Sequence, residues 1–480
     1  MLAAERRLLG PIGVAIGLFV LVGASADNAA RPALGPSGWA PGSWLPITLT
    51  PAAVTGCLWG AYVIGAAGTY AALRASTTPG VQRLRALPWW LLGVLGVLVL
   101  LTQPFGSADH VNYAAYGRIF VGGGDPYTQA PIDWAGGHDP VTSAVEAPWT
   151  TAPSVYGPLA TLLQGLAAGI GGANLREIVW VWQVVLVLAW LATRWLLRRL
   201  TADHTRVDVL WTLNPLVLGL GLFGAHVDVI AVPFAVSAIA LAGRSPALAG
   251  VFGGLAAATK ATYALVLLAL GLSWWLGSRR GASRRLISAG AAALATLVLV
   301  HLPFNVHVYD QVWTVRRYVS LATPWRPLLD TMTGPLAGST VRTMISVGAV
   351  IIALALAYAL WRITAGLAPD TPEGTAARMT LVLTTAYTLA APYSLPWYDV
   401  LTWAVLASLA ASRLDLVLLA RGVVMAAAYV PGRVLGMTPR VAQLTLGIRR
   451  YVAPYAAFAA WVAIGWVSVR ARSIRRDPAP

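Results

Sequence analysis

Charged residues are scarce in this chain of 480 residues: they make up 11% of the sequence, whereas hydrophobic residues make up 58%. A soluble domain carries about 25% charged residues, so most of the surface must face lipid. Apolar runs recur along the chain, and their length suits helices that cross a bilayer core of ~30 Å. Long Ala, Leu, Val and Gly runs exclude the strict alternation that an outer-membrane barrel requires. The sequence therefore predicts an all-α, polytopic integral membrane protein.

Cysteine and lysine each occur once. Cys57 lies inside an apolar run, so we expect neither an intrachain disulfide nor a cysteine-based metal site. The remaining candidate ligands do not show the spacing of a metal site, and we predict no metal and no cofactor. A Walker A loop, a GxSxG turn and an HExxH helix are also missing from the sequence. Their absence argues against ATP-driven transport and against hydrolase chemistry.

Acidic residues are fewer than basic ones, 18 against 34, which gives a net charge of +16. The basic residues form short clusters between apolar runs, as expected for cytoplasmic loops, so we predict membrane lipid and no nucleic acid as a partner. The clusters are Arg6-Arg7, Arg83 with Arg85, Arg198-Arg199, Arg279-Arg280, Arg284-Arg285, and Arg470 to Arg476.

With these clusters on the cytoplasmic side, the apolar runs predict about 12–14 spans in one polytopic domain over residues 1–480. We interpret the basic and apolar N-terminus as an uncleaved first span at 8–26 rather than a cleaved signal peptide. The run at 159–172 is short, and it is compatible with either an interfacial or a re-entrant segment.

The longest non-apolar stretch, residues 104–157, follows the predicted third span and is rich in Gly, Pro and Asp. Loops of this length are usually functional, so we predict a large first outer loop that carries catalytic residues.

Asp109 stands at the start of this loop. In a helix, Asn112, Tyr113 and Tyr116 share its face, which suits a polar pocket. A carboxylate held there could accept a proton from an attacking hydroxyl as a general base. A second interpretation, an N-terminal helix cap, explains the spacing equally well.

A second group of ionisable residues follows a helix-breaking Asn214-Pro215 pair. His226 and Asp228 come at the mouth of the next predicted span. Two positions apart on a regular helix, they point about 200° away from each other and do not form one metal face. Such residues usually face an interior cavity, although hydration by headgroups at the interface is the alternative.

Lys260, the only lysine, interrupts an apolar stretch of more than twenty residues. An ammonium at the bilayer centre costs about 2.5–3.5 kcal/mol on insertion scales. A compact point charge suits a phosphate group, and snorkelling to the interface is the alternative.

Two further pairs lie at predicted outer ends of spans. Arg316 and Arg317 oppose the positive-inside trend, and they suit either a bound phosphate or anionic headgroups. Trp397 and Tyr398 could stack on a sugar or belong to the interfacial aromatic belt.

These motifs together resemble a known family. The segments "SADHVNYAAYGRIFVGGGDPYTQAP", "YGPL", "LNPLVL", "GAHVD", "AAATKA" and "SLPWYDV" occur in the order found in the polyprenol-phosphate-mannose-dependent α-1,6-mannosyltransferases of actinobacteria. The resemblance covers roughly residues 87–400, and its most specific part is the Asp…Tyr-Ala-Ala…Gly-Asp-Pro-Tyr block. Where the family usually has Ala-His-Asn-Asp, this chain reads Ala225-His226-Val227-Asp228 and lacks the amide.

The resemblance implies a bundle of the GT-C glycosyltransferase class in the plasma membrane, with its active site on the outer face. Asp109 would be the catalytic base, and Lys260, with Arg316 and Arg317, would bind the donor phosphate. A polyprenyl-phosphate sugar would be the donor and a glycan or glycolipid the acceptor, and mannose would be transferred with inversion, without a cofactor. We expect the remaining site residues to contact substrate: His110, Tyr113, His226, Asp228, Trp397 and Tyr398.

Two alternatives stay open. The same fold could use another polyprenyl-phosphate sugar such as arabinose, because these residues do not specify the sugar. A lipid-linked-sugar transporter or flippase is the alternative from a different class. Transporters tend to show internal repeats and ionisable residues at the bilayer midplane, whereas here the polar residues cluster at one predicted face and no repeat is recognisable.

Overall fold

The computed structural model describes residues 3–77, 87–277, 281–433 and 435–473. Within these ranges the regular secondary structure is almost entirely helical, which confirms the predicted all-α class. The α-helices are α1 Ala3–Ala24, α2 Pro51–Thr77, α3 Trp89–Leu100, α4 Asp109–Val121, α5 Pro158–Gly171, α6 Leu175–Leu200, α7 His204–Val207, α8 Asp228–Ala240, α9 Pro246–Thr259, α10 Ala264–Gly277, α11 Ala282–His301, α12 Asp310–Val315, α13 Trp325–Met332, α14 Gly338–Ile363, α15 Pro372–Ala390, α16 Val400–Leu406, α17 Arg413–Tyr429, α18 Pro439–Gly447 and α19 Ala453–Ser473.

Irregular elements interrupt these helices. Two short strands, β1 Ser25–Asp27 and β2 Leu45–Thr48, pair in parallel between α1 and α2. Short 3₁₀-helices cover Pro131–Gly137, Thr142–Ala144, Trp149–Thr151, Ala261–Tyr263, Val306–Tyr309 and Pro396–Asp399, and π-helices cover Asp208–Thr212, Val217–Phe223 and Ile448–Val452.

Among the described residues, five helices are long and apolar enough to cross a membrane, or six when one bent pair is taken as a single span. This count is lower than the predicted 12–14. The unbroken candidates are Pro51–Ala75, Leu175–Leu200, Ala282–His301, Gly338–Ile363 and Pro439–Arg470.

Short and broken apolar helices account for much of the difference. Hydropathy predicts continuous spans at 205–220 and 221–243, but Asn214-Pro215 separates two π-helical segments that meet at 59°. The predicted span at 247–262 ends at Thr259, because Lys260 adopts an extended conformation with φ −154° and ψ 126°. The segment at 159–172 is the 14-residue α5, about 21 Å long at 1.5 Å per residue, which is shorter than a bilayer core.

Buried ion pairs hold the ends of the central helices. Arg194 of α6 donates to both carboxylate oxygens of Asp208 at 2.7 and 3.2 Å. Arg206 donates to both oxygens of Asp415 at 2.7 and 2.8 Å, and Asp415 also completes the capping box at the start of α17. Removing one partner of a buried pair typically costs about 3–5 kcal/mol, so these pairs fix the relative positions of α6, α7 and α17.

The predicted basic clusters are only partly described. Arg198 and Arg199 lie in the last turn of α6, where the helix dipole favours positive charge, and Arg284-Arg285 lies in the first turn of α11. Arg83, Arg85, Arg279, Arg280, Arg475 and Arg476 lie outside the described residues, as do the side chains of Arg6, Arg7 and Arg472.

Side-chain contacts fold the predicted outer loop onto the helices. Arg118 of α4 donates to Asp139 at 2.9 Å, and Asp139 accepts from the backbone of Val141 and Thr142. Burial would raise the pKa of Asp139, but these hydrogen bonds outweigh it and lower the pKa. Tyr127, from the Gly-Asp-Pro-Tyr motif, shares a hydrogen bond of 2.8 Å with Thr161 of α5.

Candidate active site

Asp109 is the first residue of α4. Ala108 occupies the cap position, and its methyl side chain cannot accept a hydrogen bond, so the interpretation of Asp109 as the cap is wrong. The carboxylate still lies in the first turn, where the helix dipole favours negative charge. Its side chain is 17% exposed, which leaves it accessible from the neighbouring cavity.

The backbone before Asp109 is fixed by three other parts of the chain. Phe105 donates its N–H to Phe223 at 3.2 Å, and Gly106 donates to Ala30 at 2.9 Å. Gly432, with φ +96°, packs directly on Gly106, where a Cβ would overlap the Gly106 carbonyl. The close approach therefore requires glycine at position 432 and leaves the start of α4 little freedom.

A chain of hydrogen bonds connects Asp109 to His226. The Asp109 N–H donates to the Ser107 hydroxyl at 3.3 Å, and that hydroxyl lies 3.1 Å from His226 Nε2. His226 Nδ1 contacts the Leu220 carbonyl, which can only accept, so Nδ1 carries the proton and Nε2 accepts from Ser107. Nε2 also lies 3.6 Å from Asp109 Oδ2, which places the imidazole directly beside the carboxylate.

Asp228 has a different charged partner from His226. Ala225 has φ +56°, and α8 begins only at Asp228, so the two side chains do not follow regular helical spacing. Lys260 donates to both oxygens of Asp228 at 2.8 and 3.0 Å. The lysine therefore has a buried counter-charge, which explains how an apolar stretch accommodates it.

The Tyr-Gly-Pro motif contacts the segment that carries Lys260. Gly157, from Tyr-Gly-Pro, donates its N–H to the Thr259 carbonyl at 3.0 Å. A Cβ at Gly157 would overlap the carbonyl oxygen of Ala258. The start of α5 is thus pressed against the end of α9, and this contact sets the position of Lys260.

Trp397 and Tyr398 are packed against the same charged residues. His226 stacks on Trp397 with ring centroids 3.8 Å apart. The Lys260 ammonium lies 3.6 Å from the centroid of the Tyr398 ring. One face of each ring is therefore occupied by protein, which limits the surface left for stacking on a sugar.

A cavity of about 1180 Å³ opens beside Asp109. Six of the residues predicted from sequence line it: Asp109, Lys260, Arg316, Arg317, Trp397 and Tyr398. These residues come from separate parts of the chain, so the structure gathers the predicted acid, the lysine and the arginine pair around one space.

The other four predicted residues lie behind the cavity wall. His226 and Asp228 are each 1% exposed, and they lie beside Asp109 and Lys260, respectively. Tyr113 is also 1% exposed, and its hydroxyl accepts from the Val227 N–H at 3.4 Å. His110, 1% exposed, faces a separate small void, so these four residues are not placed to contact a substrate in the cavity.

Sequence reasoning missed several cavity residues. Arg342 of α14 lines the cavity and donates to the Arg317 carbonyl at 2.6 Å. An arginine inside a predicted apolar span is a signal of the same kind as Lys260. Asn112, which was predicted only to share a face with Asp109, is 4% exposed and also lines the cavity.

The surroundings of Asp109 change its acidity. Burial raises its pKa, the positive charge of Lys260 lowers it, and the negative charge of Asp228 raises it, with a result of about 7. A carboxylate with a pKa near neutrality is matched to proton transfer at physiological pH.

Comparisons with known proteins identify related sequences. Alpha-(1->6)-mannopyranosyltransferase A of Mycobacterium tuberculosis is 30% identical over 210 residues, which are 42% of this chain and 40% of that protein. The chain thus matches less than half the length of this curated relative. No solved structure matches. Residues 7–276 match the family model described as Alpha-(1->6)-mannopyranosyltransferase, N-terminal domain. Because this match covers more than half of the sequence and includes both Asp109 and Lys260, the chain belongs to the Alpha-(1->6)-mannopyranosyltransferase family.

Proposed function

We propose that this protein is a membrane glycosyltransferase that transfers mannose from a polyprenyl-phosphate-mannose donor to a glycan or glycolipid acceptor. The product would carry an α-1,6-linked mannose. The observation that carries the proposal is the cavity beside Asp109, because one space contains a carboxylate with a near-neutral pKa and a group of cations. Family membership supplies the sugar and the linkage.

Asp109 is the general base of the proposed reaction. It accepts the proton of the acceptor hydroxyl while the hydroxyl oxygen bonds to the anomeric carbon of the donor. The bond between that carbon and the phosphate oxygen breaks in the same step. A β-linked donor then gives an α-linked product by single inversion.

The cations stabilise the departing polyprenyl phosphate. Arg316 and Arg317 both line the cavity, and guanidinium groups bind phosphate oxygens well. Lys260 lines the same space but is already paired with Asp228, so it contributes as an anchored charge at the cavity wall. Groups that neutralise charge as it develops lower the barrier to the chemical step.

We further propose that catalysis takes place on the outer face of the plasma membrane. Residues 104–157 would form a catalytic loop inside one polytopic domain. The one-sided clustering of ionisable residues supports it.

Purified protein in lipid nanodiscs, given a mannosyl acceptor and either polyprenyl-phosphate mannose or polyprenyl-phosphate arabinose, tests the sugar. We expect transfer of mannose, with product linkage assigned by NMR. Transfer of arabinose alone would contradict the mannose assignment and support the alternative donor.

The transporter alternative predicts a different result in sealed vesicles. Movement of a labelled lipid-linked sugar between leaflets, without a new glycosidic bond, would favour a flippase. We expect bond formation that depends on the acceptor.

A further inference from the structure

The cavity beside Asp109 changes in polarity along one face of α14. Ser339, Arg342, Thr343 and Ser346 line it near the start of the helix. Further along, the lining residues of the same helix are Val347, Ala349, Val350 and Ala353. The lining therefore passes from a guanidinium at Arg342 to hydrocarbon at Ala353, eleven positions further along the helix, a distance of ~16 Å along the axis.

The polar end of this stripe carries three positive charges. Arg316, Arg317 and Arg342 all line the cavity there, and Arg342 holds the Arg317 carbonyl at 2.6 Å. An anion fits this end, and a guanidinium cluster is suited to phosphate.

The apolar end lies on a helix that faces lipid. α14 is one of the candidate spans, with a mean hydropathy of 2.3. Val347 and Val350 line the cavity and are nevertheless 57% and 60% exposed. The cavity is thus not closed on this side, and a hydrocarbon chain could pass between it and the bilayer.

We infer that the apolar end of the α14 stripe, residues 347–353, is the binding site for the first part of the donor's polyprenyl chain, and that Arg342 joins Arg316 and Arg317 around the donor phosphate. An occupant that is anionic at one end and hydrocarbon at the other matches the polarity of the stripe. The stripe binds the donor lipid rather than a lipid on the acceptor, because its polar end carries the guanidinium cluster that suits the donor phosphate. This inference rests on the proposed function for its choice of donor.

The test compares two sugar-free polyprenyl phosphates, one of ten isoprene units and one of two, for binding to the whole protein in nanodiscs. Ala353→Trp fills the apolar end of the stripe. We expect it to weaken binding of the long lipid by about tenfold or more, since overpacking a filled site is costly, and to leave binding of the short lipid within about twofold.

A matched control comes from the same helix. Leu354 is 67% exposed and is not among the residues that line the cavity, so Leu354→Trp should change neither affinity. Val350→Thr keeps the volume and adds a hydroxyl, and it should weaken only the long lipid, by a few-fold. This second variant keeps the test decisive should the tryptophan variant fold poorly.

Equal weakening by Ala353→Trp and Leu354→Trp, or equal weakening of both lipids, would overturn the inference. Arg342→Gln should weaken both lipids about equally, because both carry the phosphate, and binding that is unchanged by it would remove Arg342 from the site. Binding needs no turnover, so failure of mannose transfer in the wild type with chain-length discrimination intact would refute the proposed reaction and leave the lipid site standing.

Discussion

Replacing Asp109 with asparagine removes the proposed base while conserving the shape of the side chain. The amide fills the same space beside His226, where the carboxylate now lies 3.6 Å from Nε2, but it cannot accept a proton at neutral pH. A positioned general base contributes typically ~10²–10⁴-fold to a rate, so we expect Asp109→Asn to lower kcat by that factor and to leave the donor KM within about threefold.

The pH dependence gives a second measure of the same residue. Its pKa is raised to about 7, so the carboxyl keeps its proton to a higher pH than a free aspartate. The base form then makes up about one tenth of the protein at pH 6 and about nine tenths at pH 8. The wild-type kcat/KM should therefore rise through this range, and the residual rate of Asp109→Asn should not follow that rise.

The assay is transfer of radiolabelled mannose from polyprenyl-phosphate mannose by protein in nanodiscs, with the amount of folded protein measured by gel filtration. Asp133→Asn is the control, because Asp133 is exposed in the same loop and does not line the cavity. Turnover by Asp109→Asn within about threefold of the wild type at pH 8 would refute the role of Asp109 as the base.

Three further predictions concern the surroundings of the base. Gly157→Ala places a methyl group against the Ala258 carbonyl, so it should displace Lys260, raise the donor KM and lower the unfolding temperature. Gly169 lies in open space on the same α5, so Gly169→Ala should have none of these effects. Lys260→Met leaves Asp228 buried without its partner and should lower the free energy of unfolding by about 3–5 kcal/mol. Adding Asp228→Leu should restore most of that stability but not the donor affinity. Recovery of both stability and donor affinity would show that Lys260 acts only structurally. Arg206→Met breaks the buried pair with Asp415 and should lower the free energy of unfolding by a similar amount in denaturation experiments, while kcat per folded molecule stays within about twofold. A large loss of kcat would connect that pair to catalysis.

The gathering of Asp109, Lys260 and the arginine pair around one cavity could be anticipated from the sequence. Ionisable residues are costly within apolar stretches, and a shared polar space is the simplest way to offset that cost for all of them. The sequence did not specify the partner of Lys260. Asp228 lies 32 residues earlier in the chain, and hydropathy does not register the left-handed backbone at Ala225 that precedes it.

The errors also have physical causes. His110 follows Asp109 directly, and adjacent residues on a helix point about 100° apart, so helical geometry already argued against a shared cavity face. Hydropathy predicts two continuous spans, at 205–220 and 221–243, because it does not register π-helical turns or a bend of 59°. Arg342 was passed over because the surrounding span is strongly apolar, although the same reasoning that selected Lys260 applies to it.

The family match divides the candidate site into two parts with different expectations. Residues 7–276 include Asp109 and Lys260, together with the glycine contact at residue 157 that positions the lysine. Arg316, Arg317 and the α14 stripe all lie beyond the matched region and line the same cavity. The proposed proton transfer to Asp109 requires the same geometry in every relative that performs the same chemistry. A lipid chain, by contrast, is bound through its length and apolar surface, which many side chains can supply. Differences between relatives in the donor lipid should therefore arise along α14, while the acid and the neighbouring His226 stay in place.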